Sequence, residues 1–295
     1  MDNLIELRKK VYKNFPKNNL NEDLSNIVLL YDISDIDYEF LTKTVQNFLC
    51  KSLSLIHKKE FIWSDTFLKD NDHLIQALPN KTPNGVLFPK KETTIEFIEI
   101  QKAINNILNS LGIYPHIKKL VIPNIRYKSS NESVEIKSRP YYTGKMHSDA
   151  WVGHKGDSVF LIGVLGDVDN NTVEFNEPIG LQNNYLYKAE SFDEGNTRYE
   201  SLKYLGKLTK QKLGIMDHVC IHRTLLNESS GPRISIDIAV LVDSEYSHSN
   251  DEGFDENIYN YHDSNVINSI GITKTYQIEE SIFDLNNTKI KIKNL

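Results

Sequence analysis

The sequence predicts a mainly β chain with helical support, an α+β architecture, on two observations. The first third carries apolar residues at helical spacing behind capping signals, whereas from Lys118 onward short runs rich in Val and Ile are separated by Gly, Asn, Asp and Pro. The two characters follow one another instead of alternating, which favours an antiparallel sandwich or barrel over βαβ units. No internal repeat or clean linker divides the chain. One unit is therefore expected over 1–295, with a helical or mixed support at 1–117, a β core at 118–243, and an extension at 244–295 able to cover a site.

Each element has its own signal. Leu4, Ile5, Val11 and Phe15 predict an amphipathic N-terminal helix. Ser34 and Asp37 form a weak cap pair before a stripe of Phe40, Leu41, Val45, Phe48, Leu49 and Leu53. Thr93 and Glu96 have capping-box spacing ahead of Phe97, Ile100, Ile104, Ile107 and Leu111, and Gly112 is placed to stop that helix. Between the two helices, "ALPNKTPNGVLFPKK" is rich in turn residues and reads as a surface loop. The expected strands are "KKLVIPNIRY", "SVFLIGVLG", "NTVEFNEP", "KLGIMDHVCIH" and "PRISIDIAVLV", with a last one in "KIKIKNL". Residues 182–206, polar with interleaved tyrosines, read as a long insertion of the kind that covers a site.

Composition excludes several classes. A net charge of −6 and a pI near 5.9 argue against a nucleic-acid partner, which wants clustered Lys and Arg. No run approaches the roughly 18–20 apolar residues that span a bilayer, and the N-terminus lacks a signal-peptide pattern. Cys50 and Cys220 are too few for a disulfide framework or a Cys-rich zinc site. The expectation is a cytoplasmic protein acting on a small molecule, and the Asn, Lys and Ile bias suggests a bacterial source; its oligomeric state cannot be read.

The chemistry gathers in two places. In "GKMHSDAWVG", His147 and Asp149 stand two apart, so an extended backbone would present imidazole and carboxylate on one face. Downstream, "GIMDHVCIHRTLLNESSGPRISIDIAV" offers His222 at the end of an apolar run, then Arg233 and Ser235 on one face of the next strand. Two imidazoles and a carboxylate that leave coordination positions open make the facial triad of non-haem iron(II) oxygenases. His218, four residues before His222, competes for the same place, because within a strand both would share a face.

This ordered set resembles the iron(II)- and 2-oxoglutarate-dependent dioxygenases, over roughly 118–243. The resemblance implies a double-stranded β-helix, the jelly-roll or cupin-like fold, with the N-terminal helices packed outside. It implies that His147, Asp149 and His222 bind Fe(II), and that Arg233 pairs with the far carboxylate of 2-oxoglutarate while Ser235 donates to it. Guanidinium suits that task because it is permanently charged and grips a carboxylate bidentately. The implied reaction uses O2 to oxidise a C–H group and converts 2-oxoglutarate to succinate and CO2. Asp149 fills a position that is small in halogenases of this kind, which favours hydroxylation or a related oxidation such as desaturation.

Around this set, Tyr142 is a candidate for the 2-oxo acid, and Arg126, Arg139, Tyr141 and Trp151 are candidates for the substrate. Thr224 and Asn227 are placed to orient ligands or make turns, and His154, His248 and His262 fall in no pattern. A cupin-type metalloenzyme that needs no 2-oxoglutarate would leave Arg233 and Ser235 without an obvious task. A metal-free jelly-roll binder would take up no iron.

Overall fold

A computed structural model describes residues 3–129, 134–153, 156–226, 230–250, 260–284 and 288–295; the expectations for His154 and Asn227 lie outside them. The strands are β1 (Leu20–Leu24), β2 (Val28–Asp32), β3 (Val86–Leu87), β4 (Ile117–Leu120), β5 (Asn124–Lys128), β6 (Ser158–Gly166), β7 (Asn171–Ile179), β8 (Ser201–Lys207), β9 (Lys212–Asp217), β10 (Ile221–Leu226), β11 (Arg233–Val242), β12 (His262–Asp263), β13 (Lys274–Ile278) and β14 (Ile290–Asn294).

The main sheet is antiparallel in the order β1-β2-β9-β6-β11-β4-β12. Both β4 and β5 pair with β11, β5 along Arg233–Asp237 and β4 along Val240–Val242. Pro123 splits the expected single run "KKLVIPNIRY" into these two strands, since proline cannot donate to a ladder. A second sheet has the order β10-β7-β8, and β13 pairs with β14. The N-terminal third therefore supplies β1, β2 and β3 to the sheets besides its helices. The stretch expected as a surface loop carries β3, paired to β5, because Val86 and Leu87 can only bury themselves by extending that edge.

Alternation explains the layering. Leu29, Tyr31, Phe160, Ile162, Ile215, Ile234 and Ile236 point to one face of the main sheet and join the core with the helices. Their neighbours Val28, Leu30, Val159, Leu161 and Met216 point to the other face and pack with Val173 and Phe175 of the second sheet. The two sheets thus face each other across a core of their own. Antiparallel sheets and helical support are present as expected, but among the described residues no ladder closes the two sheets into a barrel.

The two long helices follow the sequence closely. Asp35–His57 starts where Ser34 Oγ accepts the Asp37 N–H at 3.2 Å, and it buries Leu41, Val45, Phe48, Leu49 and Leu53. Thr94–Ser110 buries Phe97, Ile100, Ile104 and Ile107 and ends before Gly112, whose φ of +69° suits a residue without Cβ. Its expected capping box is absent: Thr93 Oγ1 instead accepts from Lys90 N at 2.9 Å, within a 3₁₀ turn that precedes the helix. The N-terminal helix covers only Leu4–Arg8, and Val11 and Phe15 are buried from the turns that follow it.

Candidate metal centre

His222 lies on β10, the edge of the second sheet, and His147 is hydrogen-bonded to it through the backbone in both directions at 2.9 Å. That isolated antiparallel bridge sets the imidazole centroids 4.2 Å apart. The sequence expected a strand through His147 and Asp149. Extension ends at Ser148, and Asp149 opens a 3₁₀ turn, Asp149–Val152. Ser148 makes that turn: its buried hydroxyl donates to the His218 carbonyl at 2.6 Å and accepts from Ala150 N at 3.3 Å. Asp149 is delivered by this turn, not by strand alternation.

One ligand atom each from His147, Asp149 and His222 lies within 4.8 Å of the others, and His222 Nε2 stands 3.8 Å from Asp149 Oδ1. His147 Nδ1 donates to the Lys145 carbonyl at 2.8 Å, which leaves the ring's lone pair on Nε2. Burial first, and then the neighbouring His222, push the His147 pKa down to about 3, so the ring stays neutral. Neutral imidazoles with one carboxylate are a donor set that suits iron(II).

His218 does not compete for this place. The run expected as one strand breaks into β9 and β10 with a turn at 218–220, so His218 lies in that turn, outside either sheet, while His222 is on β10. The His218 ring is buried against His248, with centroids 4.2 Å apart, and only its backbone carbonyl serves the metal turn.

The insertion backs the site from one side. Phe192, buried in a short helix, Phe192–Gly195, stacks on the His147 ring at 4.1 Å and 20°. Nothing in the local pattern singles Phe192 out, because its partner is distant in sequence. Tyr141 belongs to the same packing, its ring edge-on to Phe192 and its hydroxyl donating to the Ala189 carbonyl at 2.8 Å. Trp151 is fully buried, and its indole N–H donates to the Tyr185 carbonyl at 2.8 Å. Its ring lies where a Cβ on Gly195 would come within 2.2 Å, so that close approach requires glycine. Of wall and core, Trp151 is core.

Arg233 and Ser235 share the face of β11 that looks toward the second sheet, opposite Ile234 and Ile236. Arg233 is 1% exposed and donates from Nη1 to the Asn171 carbonyl at 2.9 Å. Lys128 stands beside it in register and is also buried, its ammonium 5.1 Å from the centroid of the Tyr142 ring. Tyr142 is thereby linked to the Arg233 side of the site. Thr224, two past His222 on β10, shares that histidine's face.

Asp149 also lines a cavity of about 640 Å³ with Asn124, Arg126, Asp237 and, from the C-terminal region, Asn260, His262 and Lys289. Arg126 donates from Nε and Nη2 to the two oxygens of Asp237, at 2.8 and 3.1 Å, and from Nη1 to the Asn84 carbonyl at 3.0 Å. Arg139 is held to the Asn84 side chain at 2.7 Å, beside that cavity and not in its lining. The sequence overlooked Asp237, though its place four beyond Arg233 puts it on the same strand face. Among the described residues no helix is long and apolar enough to cross a membrane.

No protein-family model matches the chain, and no curated protein matches it in sequence. Solved structures similar to it include the non-haem alpha-ketoglutarate-dependent epimerase SnoN from nogalamycin biosynthesis, at 9% identity over 82% of this chain and 83% of that one, with a TM-score of 0.38. AviO1 from Streptomyces viridochromogenes is similar at 10% identity over 72% and 88%, with a TM-score of 0.39. An N-substituted L-amino acid dioxygenase from Burkholderia ambifaria AMMD is similar at 9% identity over 83% and 89%, with a TM-score of 0.37. Similarities this distant decide neither the fold nor the chemistry.

Proposed function

From the His147–Asp149–His222 triad, which supports assigning the chain to the non-haem iron(II)/2-oxoglutarate-type oxygenases and to their class of catalysis, we propose a specific activity. The protein is an iron(II)- and 2-oxoglutarate-dependent oxygenase that hydroxylates an unactivated C–H of a small polar molecule, with succinate and CO2 as co-products. The assembled triad carries this reading. We further propose that 1–295 works as one oxygenase unit, with 118–243 as its catalytic core, 1–117 as support and 244–295 as cover. Asn260, His262 and Lys289 on the cavity wall support that last role. The two facing sheets are read as an open double-stranded β-helix.

His147, Asp149 and His222 would hold the iron. When bound, iron(II) with a 2-oxo acid supplies the activation of O2 and the oxidation of the C–H bond, chemistry that belongs to the cofactors. The chain's own residues bind, orient and exclude water. Phe192 stacked on His147, and the Lys145 carbonyl on its Nδ1, fix the ring and its tautomer. Arg233 takes the far carboxylate of 2-oxoglutarate, with Ser235 donating a hydrogen bond and Tyr142 bounding the same space. Burial makes such contacts to a carboxylate stronger than they would be in water. A carboxylate at Asp149 keeps a halide from that coordination position, which supports hydroxylation.

The test is an anaerobic titration of iron(II) and then 2-oxoglutarate, followed by the charge-transfer absorption of an iron-bound 2-oxo acid. Arg233→Lys keeps the charge and loses the fork. A charge-assisted hydrogen bond is worth about 1.5–3 kcal/mol, so 2-oxoglutarate binding should weaken roughly ten- to more than a hundredfold. Iron affinity should not change. Absence of 2-oxoglutarate binding to the iron-loaded wild type, or equal affinity in the two proteins, would overturn the assignment.

A further inference from the structure

We infer that the cavity beside Asp149 takes a substrate with a zwitterionic head, a carboxylate and a protonated amine on one carbon or neighbouring carbons, gripped by Arg126 and Asp237. The inference rests on the proposed function for where the reaction occurs, and it adds the substrate class.

The first observation is the charge arrangement. Arg126 and Asp237 line the cavity on the neighbouring strands β5 and β11, with their side chains 22% and 18% exposed. Asp149 lines the same cavity as Arg126 and Asp237, so the pair shares that space with a residue of the candidate metal centre. An oxidisable group attached to a head bound there would be presented to that centre.

The second observation is hydrogen-bonding capacity. A guanidinium has five N–H donors, and Arg126 uses three of them, two on Asp237 and one on Asn84. A carboxylate has about four acceptor positions. Asp237 Oδ1 accepts one bond from Arg126, while Oδ2 accepts one from Arg126 and one from Asn124 at 3.0 Å. Among the described residues, two donors on the cation and one acceptor position on the anion remain. A ligand carboxylate answers the first and a ligand ammonium the second. A monoanion would satisfy Arg126 alone, and a simple amine Asp237 alone.

The third observation is the rest of the lining. Val86, Leu87, Phe88, Val121 and Ile122 make an apolar wall in the same cavity. A volume of about 640 Å³ is in the range of small-molecule sites. An amino-acid-like head with an apolar body matches both parts of the lining.

The experiment is calorimetric titration of the whole chain, metal-free and again after loading with Co(II), using the proteinogenic L-amino acids and their N-acetyl and carboxamide derivatives. At least one free amino acid should bind, and blocking either end should weaken it roughly ten- to a hundredfold. Asp237→Asn keeps the shape and loses the anion. It should weaken the free amino acid to a similar degree while leaving its N-acetyl derivative unchanged, and an unaltered melting temperature would show that the variant is folded. Equal binding of free and blocked forms, or no binding by any free amino acid, would overturn the inference and leave the pair as a cross-strand strut. Co(II) uptake is read separately: its failure with intact zwitterion binding would sink the oxygenase reading and uphold the head-group site.

Discussion

Replacing Arg8 should destabilise the protein more than almost any other single change at a polar residue. Arg8 is 1% exposed and lies between two aspartates that are 0% exposed, Asp217 and Asp157. Its Nη2 stands 2.9 Å from Asp217 Oδ2 and 3.5 Å from Asp157 Oδ1, and its Nη1 donates to the Tyr246 carbonyl at 2.8 Å. In Arg8→Met the unbranched side chain refills the volume but leaves both carboxylates buried. Asp157 keeps the Val242 and His248 amides and the Ser247 hydroxyl, whereas Asp217 keeps the Val219 amide at 3.0 Å and the His218 ring at 3.5 Å. Asp217 therefore carries most of the loss. Breaking a buried ion pair from one side costs about 3–5 kcal/mol, or ~6–10 °C in melting temperature at about 2 °C per kcal/mol. Burial already raises the Asp217 pKa. An acid whose folded pKa lies above its unfolded value binds more protons when folded, so its contribution to stability falls as pH rises through that window. Losing the cation widens the window, and the deficit of Arg8→Met should be largest at pH 7.5 and shrink toward pH 5. Urea unfolding at both values measures it, and adding Asp217→Asn should restore most of the loss at pH 7.5. A deficit under about 1 kcal/mol, or one that grows on acidification, would refute this account.

Other outcomes follow from the metal centre. His222→Ala should abolish Co(II) binding and turnover, whereas His218→Ala should keep Co(II) binding, since only the His218 carbonyl holds Ser148; the reverse pattern would exchange the two histidines. Ser148→Ala should lower Co(II) affinity roughly ten- to a hundredfold, as losing a group that orients ligands does, with little change in melting temperature. His147 has its pKa depressed to about 3, so the unfolded chain binds its proton first. The metal-free protein should accordingly lose up to ~1.4 kcal/mol per pH unit from this residue as pH falls below about 6.5. His147→Gln should flatten that dependence, and an unchanged slope would count against the assignment.

How much of this was legible in the sequence depends on how far each signal reaches along the chain. Apolar stripes and Val/Ile runs are local, and the two long helices and strands β6, β7 and β11 stand where those patterns put them. The double meaning of "KLGIMDHVCIH" was not legible, because alternation alone does not tell one strand from two that meet at a tight turn. Asp149 came to the right place for a different reason than alternation, the Ser148 turn, whose partner carbonyl lies 70 residues away. Phe192 and Arg8 act through partners 45 and 209 residues distant, and no window on a sequence spans such distances.

These long-range contacts also share a direction. Arg8 grips Asp217, the last residue of β9; His218 follows it and holds Ser148; and Ser148 lies between His147 and Asp149. The N-terminal helix is thus tied to the metal turn through consecutive residues of one strand end. If that tie is rigid, Arg8→Met should weaken Co(II) binding as well as stability, although Arg8 touches none of the three ligands. Double-mutant coupling separates this from general loosening. In a true relay, Arg8→Met and Ser148→Ala lose Co(II) affinity less than additively, because each releases the same turn. Additive losses would mean that the two residues act on the centre independently, and the buried ion pair would then serve stability alone.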